Sequence, residues 1–422
     1  MQQRASRLGQ ISWALYDWAN SAFSVVIITF IFATYFSQAI AADEVTGTTQ
    51  WAMAIAGSAV GIILLAPVLG AVADAGGRRK IWLFIFTALT VAGCCVLWFA
   101  YPSPEFVLYT LAVVAVSNVC FELCGVFYNA MLPELTTGDR IGRLSGWAWS
   151  LGYFGGIACL AVALVVFVQA DAPLFGLDQD TAEHVRATGP LVGVWFAVFA
   201  APLFLFTPDR PHTGLSTAEA ARRGLDNLRR TFRNLRRYWN IAHFMIARTI
   251  YTEGLNTLFT FGGIYAAGTF GMPLNEVILF GIVLNVSAGV GAMAFGWLDD
   301  WIGPKRTILL ALSGLIVFGV IALVAESTTI FWIAGTTLGV FVGPAQAASR
   351  SFLARLAPEE LRTEMFGLYA LTGKMSAFLG PAVLGAVTYL ADSQRIGMST
   401  ILLFYLAGMA LLWGVKEPPP PR

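Results

Sequence analysis

Charge is what this sequence has least of. Lys, Arg, Asp and Glu make up 12% of its 422 residues while apolar residues make up 57%, and a soluble domain carries about twice that charge. A water-soluble fold is therefore excluded and an all-α integral membrane protein is expected. The net charge of +1 asks for no strongly acidic or basic partner. Histidine is nearly missing: His184, His212 and His243 are scattered, and no His-Glu-x-x-His, nucleophile elbow or phosphate loop occurs, so neither an enzyme nor a cofactor is expected. The five cysteines (Cys94, Cys95, Cys120, Cys124 and Cys159) all fall in apolar runs. That placement excludes a disulfide framework and any metal-ligand spacing, and they read as small buried hydrophobes.

What the chain does have is long apolar runs. A bilayer crossing needs about twenty apolar residues, and twelve runs qualify, at 11–40, 51–73, 81–101, 105–128, 147–168, 189–207, 241–270, 275–298, 306–325, 328–349, 364–391 and 396–414. The first is too long for the core of a cleavable signal and is expected to stay as a span. With both termini cytoplasmic, all but four of the 26 Lys and Arg fall on the cytoplasmic side. The exceptions are Arg186 and Arg395 opposite, and Arg248 and Lys374 within spans. Basic residues set orientation, so a plasma membrane of bacterial type with both ends inside is expected.

Residues 208–240 break the pattern. Ser216 with Glu219 three positions later is a capping box. Leu225, Leu228, Phe232, Leu235 and Trp239 mark an apolar stripe, while Arg222, Arg223, Arg229, Arg230, Arg233, Arg236 and Arg237 fill much of the remaining face. Such a helix over 216–239 is expected to lie on anionic lipid, a nearer polyanion than nucleic acid, which is not expected as a partner. The chain then divides into a six-span bundle (1–207), this linker (208–240) and a second six-span bundle with a short tail (241–422), expected to act as a monomer.

The two bundles repeat a motif. "GAVADAGGRRK" follows the second run and "GWLDDWIGPKR" the eighth. Gly70, Asp74, Gly77, Arg79 and Lys80 recur as Gly296, Asp300, Gly303, Lys305 and Arg306, all at an offset of 226. Parallel six-span halves are a transporter signature, with the substrate site between them near the midplane.

The Gly-x-x-x-Asp-x-x-Gly-x-basic-basic loop resembles the signature loop of the major facilitator superfamily, departing from it at Ala75 and, in the second copy, at Trp301. The resemblance implies that Asp74, Arg78, Arg79, Asp300, Lys305 and Arg306 form a conformational latch that holds the cytoplasmic side shut. "YDWANSAF", "YNAMLPEL", "GWAWSLGYFGG", "YTEGLNTLFTFGGIYA", "GPAQAASRSFLARLAPEE" and "EMFGLYALTGKMSAFLGP" occur in that order. Together they resemble the vacuolar-effluxer-like branch, whose fungal members are linked to amino-acid export.

Five charges lie well inside the runs: Asp17, Glu122, Arg248, Glu253 and Lys374. A charge at bilayer centre costs at least about 3 kcal/mol, so each needs a partner or a wet cavity. At 1.5 Å per residue, Lys374 and Glu253 come out about 18 Å deep and Asp17 only about 9 Å. In the superfamily it resembles, spans one, four, seven and ten line the cavity. Asn118 shares a face with Glu122, and Asn256 shares one with Glu253. Lys374 and Arg248 are expected to hold a substrate carboxylate, and Glu122 or Glu253 an ammonium group or a coupling proton. The alternative is that these charges pair with one another and fix packing, as Glu122 with Lys374. Asp17 and Asn20 are expected at a cytoplasmic gate. The reading is a secondary transporter of an amino acid or similar zwitterion, by efflux or uptake. An exporter of another substrate class and a transport-inactive receptor or scaffold are the alternatives.

Overall fold

The computed structural model describes residues 5–170 and 174–417. The extreme residues of both ends, expected on the cytoplasmic side, lie outside the described residues. Eleven helices are long and apolar enough to cross a bilayer: Arg7–Ile40, Glu44–Gly76, Arg79–Phe99, Pro104–Leu135, Gly138–Val168, Glu183–Phe206, Asn275–Ile302, Pro304–Val324, Thr328–Leu356, Glu359–Ala391 and Gln394–Trp413. A twelfth, Trp239–Phe270, is just as long but carries His243, Arg248, Glu253 and Asn256, and this polarity drops it below the apolar threshold. It stands seventh in a twelve-helix order, and the helices are called spans one to twelve below. Large apolar side chains such as Leu64, Leu108, Val165, Leu310 and Leu403 stay exposed along them, a surface that suits lipid rather than water.

Several spans depart from the expected runs, among them spans one, ten and eleven. Span one widens to i→i+5 turns over Phe23–Phe30 and Phe36–Ile40. Span ten runs on to Leu356, seven residues past its expected end, because "SRSFLARL" continues the helix although it carries charge. Span eleven is broken into Arg362–Ser376 and Leu379–Ala391. Glu253 of span seven sits at the break, accepting hydrogen bonds from Ser376 Oγ (2.8 Å) and from the Gly380 N–H (3.2 Å). A carboxylate there satisfies an amide that the interrupted helix leaves free.

The capping box forms as expected: Glu219 N–H donates to Ser216 Oγ and Ser216 N–H donates to Glu219 Oε2. The linker helix is shorter than expected, covering Thr217–Arg233. Its packed face is also different. Ala220, Gly224, Leu228 and Thr231 are buried, with a Cβ on Gly224 falling 2.8 Å from the span-two backbone at Ala71. Leu228 thus turns to protein, while Leu225, Phe232 and Trp239 remain exposed.

Spans one to six and seven to twelve form two bundles that meet along spans two and eleven, and along spans five and eight. Glycine permits the second contact, since a Cβ on Gly146 would lie 2.3 Å from the Ala292 carbonyl of span eight. Gly146→Val is therefore expected to lower the melting temperature of detergent-solubilised protein by about 2–4 °C, since overpacking costs about 1–3 kcal/mol. Intrinsic fluorescence would read it, and an unchanged transition would show that the contact is loose.

Candidate functional site

Among the described residues, every polar contact between the bundles lies between the linker-bearing face and the middle of the spans. The outermost layer is a pair of exchanged helix caps. Asp74 of the first bundle accepts from Thr363 Oγ1 (2.6 Å) and from the Glu364 N–H (2.9 Å) at the start of span eleven. Asp300 of the second bundle accepts from the Gly142 and Arg143 N–H groups (2.8 and 3.0 Å) at the start of span five. Each carboxylate sits where a helix presents free amides and a positive dipole end, which is where a negative charge stabilises most. Arg79 holds Asp74 at 2.8 Å and also pairs with Glu134, while Arg355 bridges Asp299 (3.1 Å) and Asp300 (3.2 Å).

Asp74 with Arg79, and Asp300 separately, thus take part in the caps, but the other three expected latch residues do not. Arg78 and Arg306 lie exposed. Lys305 instead donates to the carbonyls of Trp413 (2.7 Å) and Val415 (2.8 Å). This fastens span twelve inside its own bundle, as Lys80 fastens span six through Phe204 and Thr207. The two lysines stand 225 apart, one off the sequence repeat, so Lys80 rather than Arg79 is the counterpart of Lys305.

The next layer was hidden from sequence reasoning. Arg350, only 3% exposed, crosses from span ten into the first bundle and pairs with Asp17 at 2.8 Å. It fell one residue beyond the expected end of its span and read as a loop charge. Asn20 does not join this contact; its Oδ1 accepts from Ser21 Oγ. A level deeper, Tyr153 Oη meets Gln346 Oε1 at 2.6 Å.

The deepest layer is Lys374 Nζ with Glu122 Oε1, 2.7 Å apart, the two side chains 29% and 27% exposed. The pair is the deepest of these contacts between the bundles and keeps part of each side chain exposed. Arg248 of span seven packs elsewhere on span eleven, stacked 3.8 Å over the Tyr369 ring and donating to the Tyr369 carbonyl. Of the other expected residues, Glu253 is fully buried at the helix break. Asn118 is occupied within the first bundle, donating to Ser58 Oγ at 2.7 Å, and Asn256 is exposed on span seven. The site as built is therefore a cation (Lys374) and an anion (Glu122) in contact at mid-depth, with Arg248 held on span eleven at Tyr369. Opposite charges on two separate bundles are the complement of a molecule that carries both.

Residues 44–418 match the family described as vacuole effluxer Atg22 like. A Bacillus subtilis protein named as the MFS-type transporter YxiO is 26% identical over 415 residues, 96% of this chain and 94% of its own. Autophagy-related protein 22 of Kluyveromyces lactis is 22% identical over 370 residues, 80% of this chain and 73% of its own. Among solved structures, the proton:xylose symporter XylE aligns with a TM-score of 0.75 at 13% identity over 97% of this chain and 96% of that one. The E. coli fucose:proton symporter FucP aligns at 0.71 and 15% over 97% and 98%. At such identities the likeness concerns the fold, which is that of the major facilitator superfamily.

Proposed function

The chain belongs to the vacuole effluxer Atg22-like family and has the fold of a membrane transporter, and on that premise we propose that it moves a small zwitterion, an amino acid or a close analogue, by alternating access. The observation that carries this reading is the partly exposed Glu122–Lys374 pair between the bundles. A substrate carboxylate replaces Glu122 at Lys374 with Arg248 in support, and its ammonium replaces Lys374 at Glu122. The bundles 1–207 and 241–422 rock as units around this pair, and Asp74, Arg79 and Asp300 hold the linker-bearing side shut. We take that side as the cytoplasmic one, since basic residues crowd it, and the sealed state as the one that faces outward. Asp17 with Arg350 forms the inner gate. Proton coupling uses Glu122 while no substrate occupies it. The exposed Leu225 and Phe232, with the arginines between them, seat the linker helix on anionic lipid, and Trp239 at the start of span seven adds to the contact.

The test is binding to purified protein by thermal shift at two pH values. Zwitterionic amino acids are expected to raise the transition temperature, while amines and carboxylates each offering one charge raise it less. Equal shifts for sugars or neutral drugs, with none for amino acids, would replace this reading by export of another substrate class.

A further inference from the structure

The pocket that Arg350 fills is built wholly by the bundle opposite its own. Trp13 and Asp17 come from span one, Tyr128 and Asn129 from span four, and Ser145 and Trp149 from span five. One guanidinium nitrogen reaches Asp17 Oδ2 (2.8 Å) and Asn129 Oδ1 (3.3 Å). The others donate to Ser145 Oγ (2.9 Å) and to the Ser145 carbonyl (2.7 Å). Its central carbon stands 5.1 Å from the Trp13 ring and 5.6 Å from both Tyr128 and Trp149. Three aromatic rings, a carboxylate, an amide oxygen and a carbonyl are the components of a box for organic cations.

The walls do not need the plug. Trp13 stacks on Tyr128 at 4.4 Å, and its indole N–H donates to the Tyr128 carbonyl at 3.1 Å, so the box stays assembled when the bundles part. The Asp17 side chain is 14% exposed with Arg350 in place, and withdrawal of Arg350 leaves its carboxylate beside aromatic rings without its countercharge, a position that favours a replacing cation. We propose that, once the linker-bearing side opens, this vacated box binds an organic cation of the guanidinium or alkylammonium class. A bound cation blocks the return of Arg350 and so delays closure of that side. The inference rests on the alternating-access reading above.

Two independent ways of emptying the box test it, with methylguanidinium as the probe and calorimetric titration of purified protein as the readout. Arg350→Ala removes the plug in any conformation, and Asp74→Asn with Asp300→Asn releases the caps. Opening in the second variant is read separately, from the distance between spin labels at Arg140→Cys and Trp301→Cys. Both variants are expected to bind the probe at least about tenfold more tightly than the unmodified protein, a gain within the range of one desolvated cation–aromatic site. Adding Asp17→Asn should remove that gain. A folded Arg350→Ala protein with no gain, or a gain that survives Asp17→Asn, overturns the inference. So does a cap-released protein whose labels separate but which binds no probe, with alternating access left standing. Labels that do not separate count against the rocking motion itself, and the Arg350→Ala titration then still decides whether the box selects cations.

Discussion

Lys374→Ala is expected to reduce substrate uptake into proteoliposomes by about 100-fold, and Glu122→Gln by a similar factor, with both proteins recovered folded in ordinary yield. The two side chains meet at 2.7 Å and are each more than a quarter exposed, so water softens the loss, and the full cost of stranding a buried charge, about 3–5 kcal/mol, is an upper bound. A loss near 2.7 kcal/mol corresponds to the 100-fold effect. The exchanged variant, Glu122→Lys with Lys374→Glu, separates binding from packing. It restores the attraction between spans four and eleven but presents each substrate charge with the opposite bundle. A packing role predicts that the exchange recovers transport; a binding role predicts that it recovers stability and leaves transport low. Normal transport by both single variants would remove the pair from the mechanism.

Asp74→Asn combined with Asp300→Asn should shift the protein toward the state open at the linker-bearing side by about 100-fold in population ratio. Each carboxylate caps a helix of the other bundle through two contacts and is held by an arginine of its own bundle. Asparagine keeps the shape but loses the charge that interacts with the helix dipole and the arginine. At about 1–2 kcal/mol for each cap, the two together come near the 2.7 kcal/mol that a 100-fold shift requires. Single variants should each give roughly a tenfold shift, because the caps sit on different helices and act on the same motion. The fraction of spin-label pairs at long distance across spans five and eight measures this directly, and an unchanged distribution would show that the caps do not hold the bundles.

Helix order, the paired halves and the placement of Asp74 and Asp300 were all legible from the chain, because apolar run length and a fixed repeat need no knowledge of which way a side chain turns. Rotation of each helix was not legible. Asn118 and Glu122 share a face by spacing, yet Asn118 turns to Ser58 while Glu122 reaches Lys374, since a four-residue step leaves some 40° between them and two neighbouring spans divide that arc. Glu253 looked like a cavity acid and instead satisfies the broken end of span eleven. The Gly380–Pro381 step marks that break in sequence, but the partner of the freed amide lies 127 residues away. Arg350 was missed for a different reason. A cation near a helix end reads as a loop residue, and only the first bundle's box of Trp13, Asp17, Tyr128 and Trp149 makes it a buried one.

The central claim is reciprocal motion of two bundles about the Glu122–Lys374 pair. Its most direct test is a paired distance measurement by spin labels in lipid, one pair at Arg140→Cys and Trp301→Cys on the linker-bearing side and the other at Val45→Cys and Tyr389→Cys on the far side, all four native residues being exposed. Releasing the caps at Asp74 and Asp300 should lengthen the first distance and shorten the second in the same molecules. Two distances that stay fixed, or that lengthen together, would contradict the account.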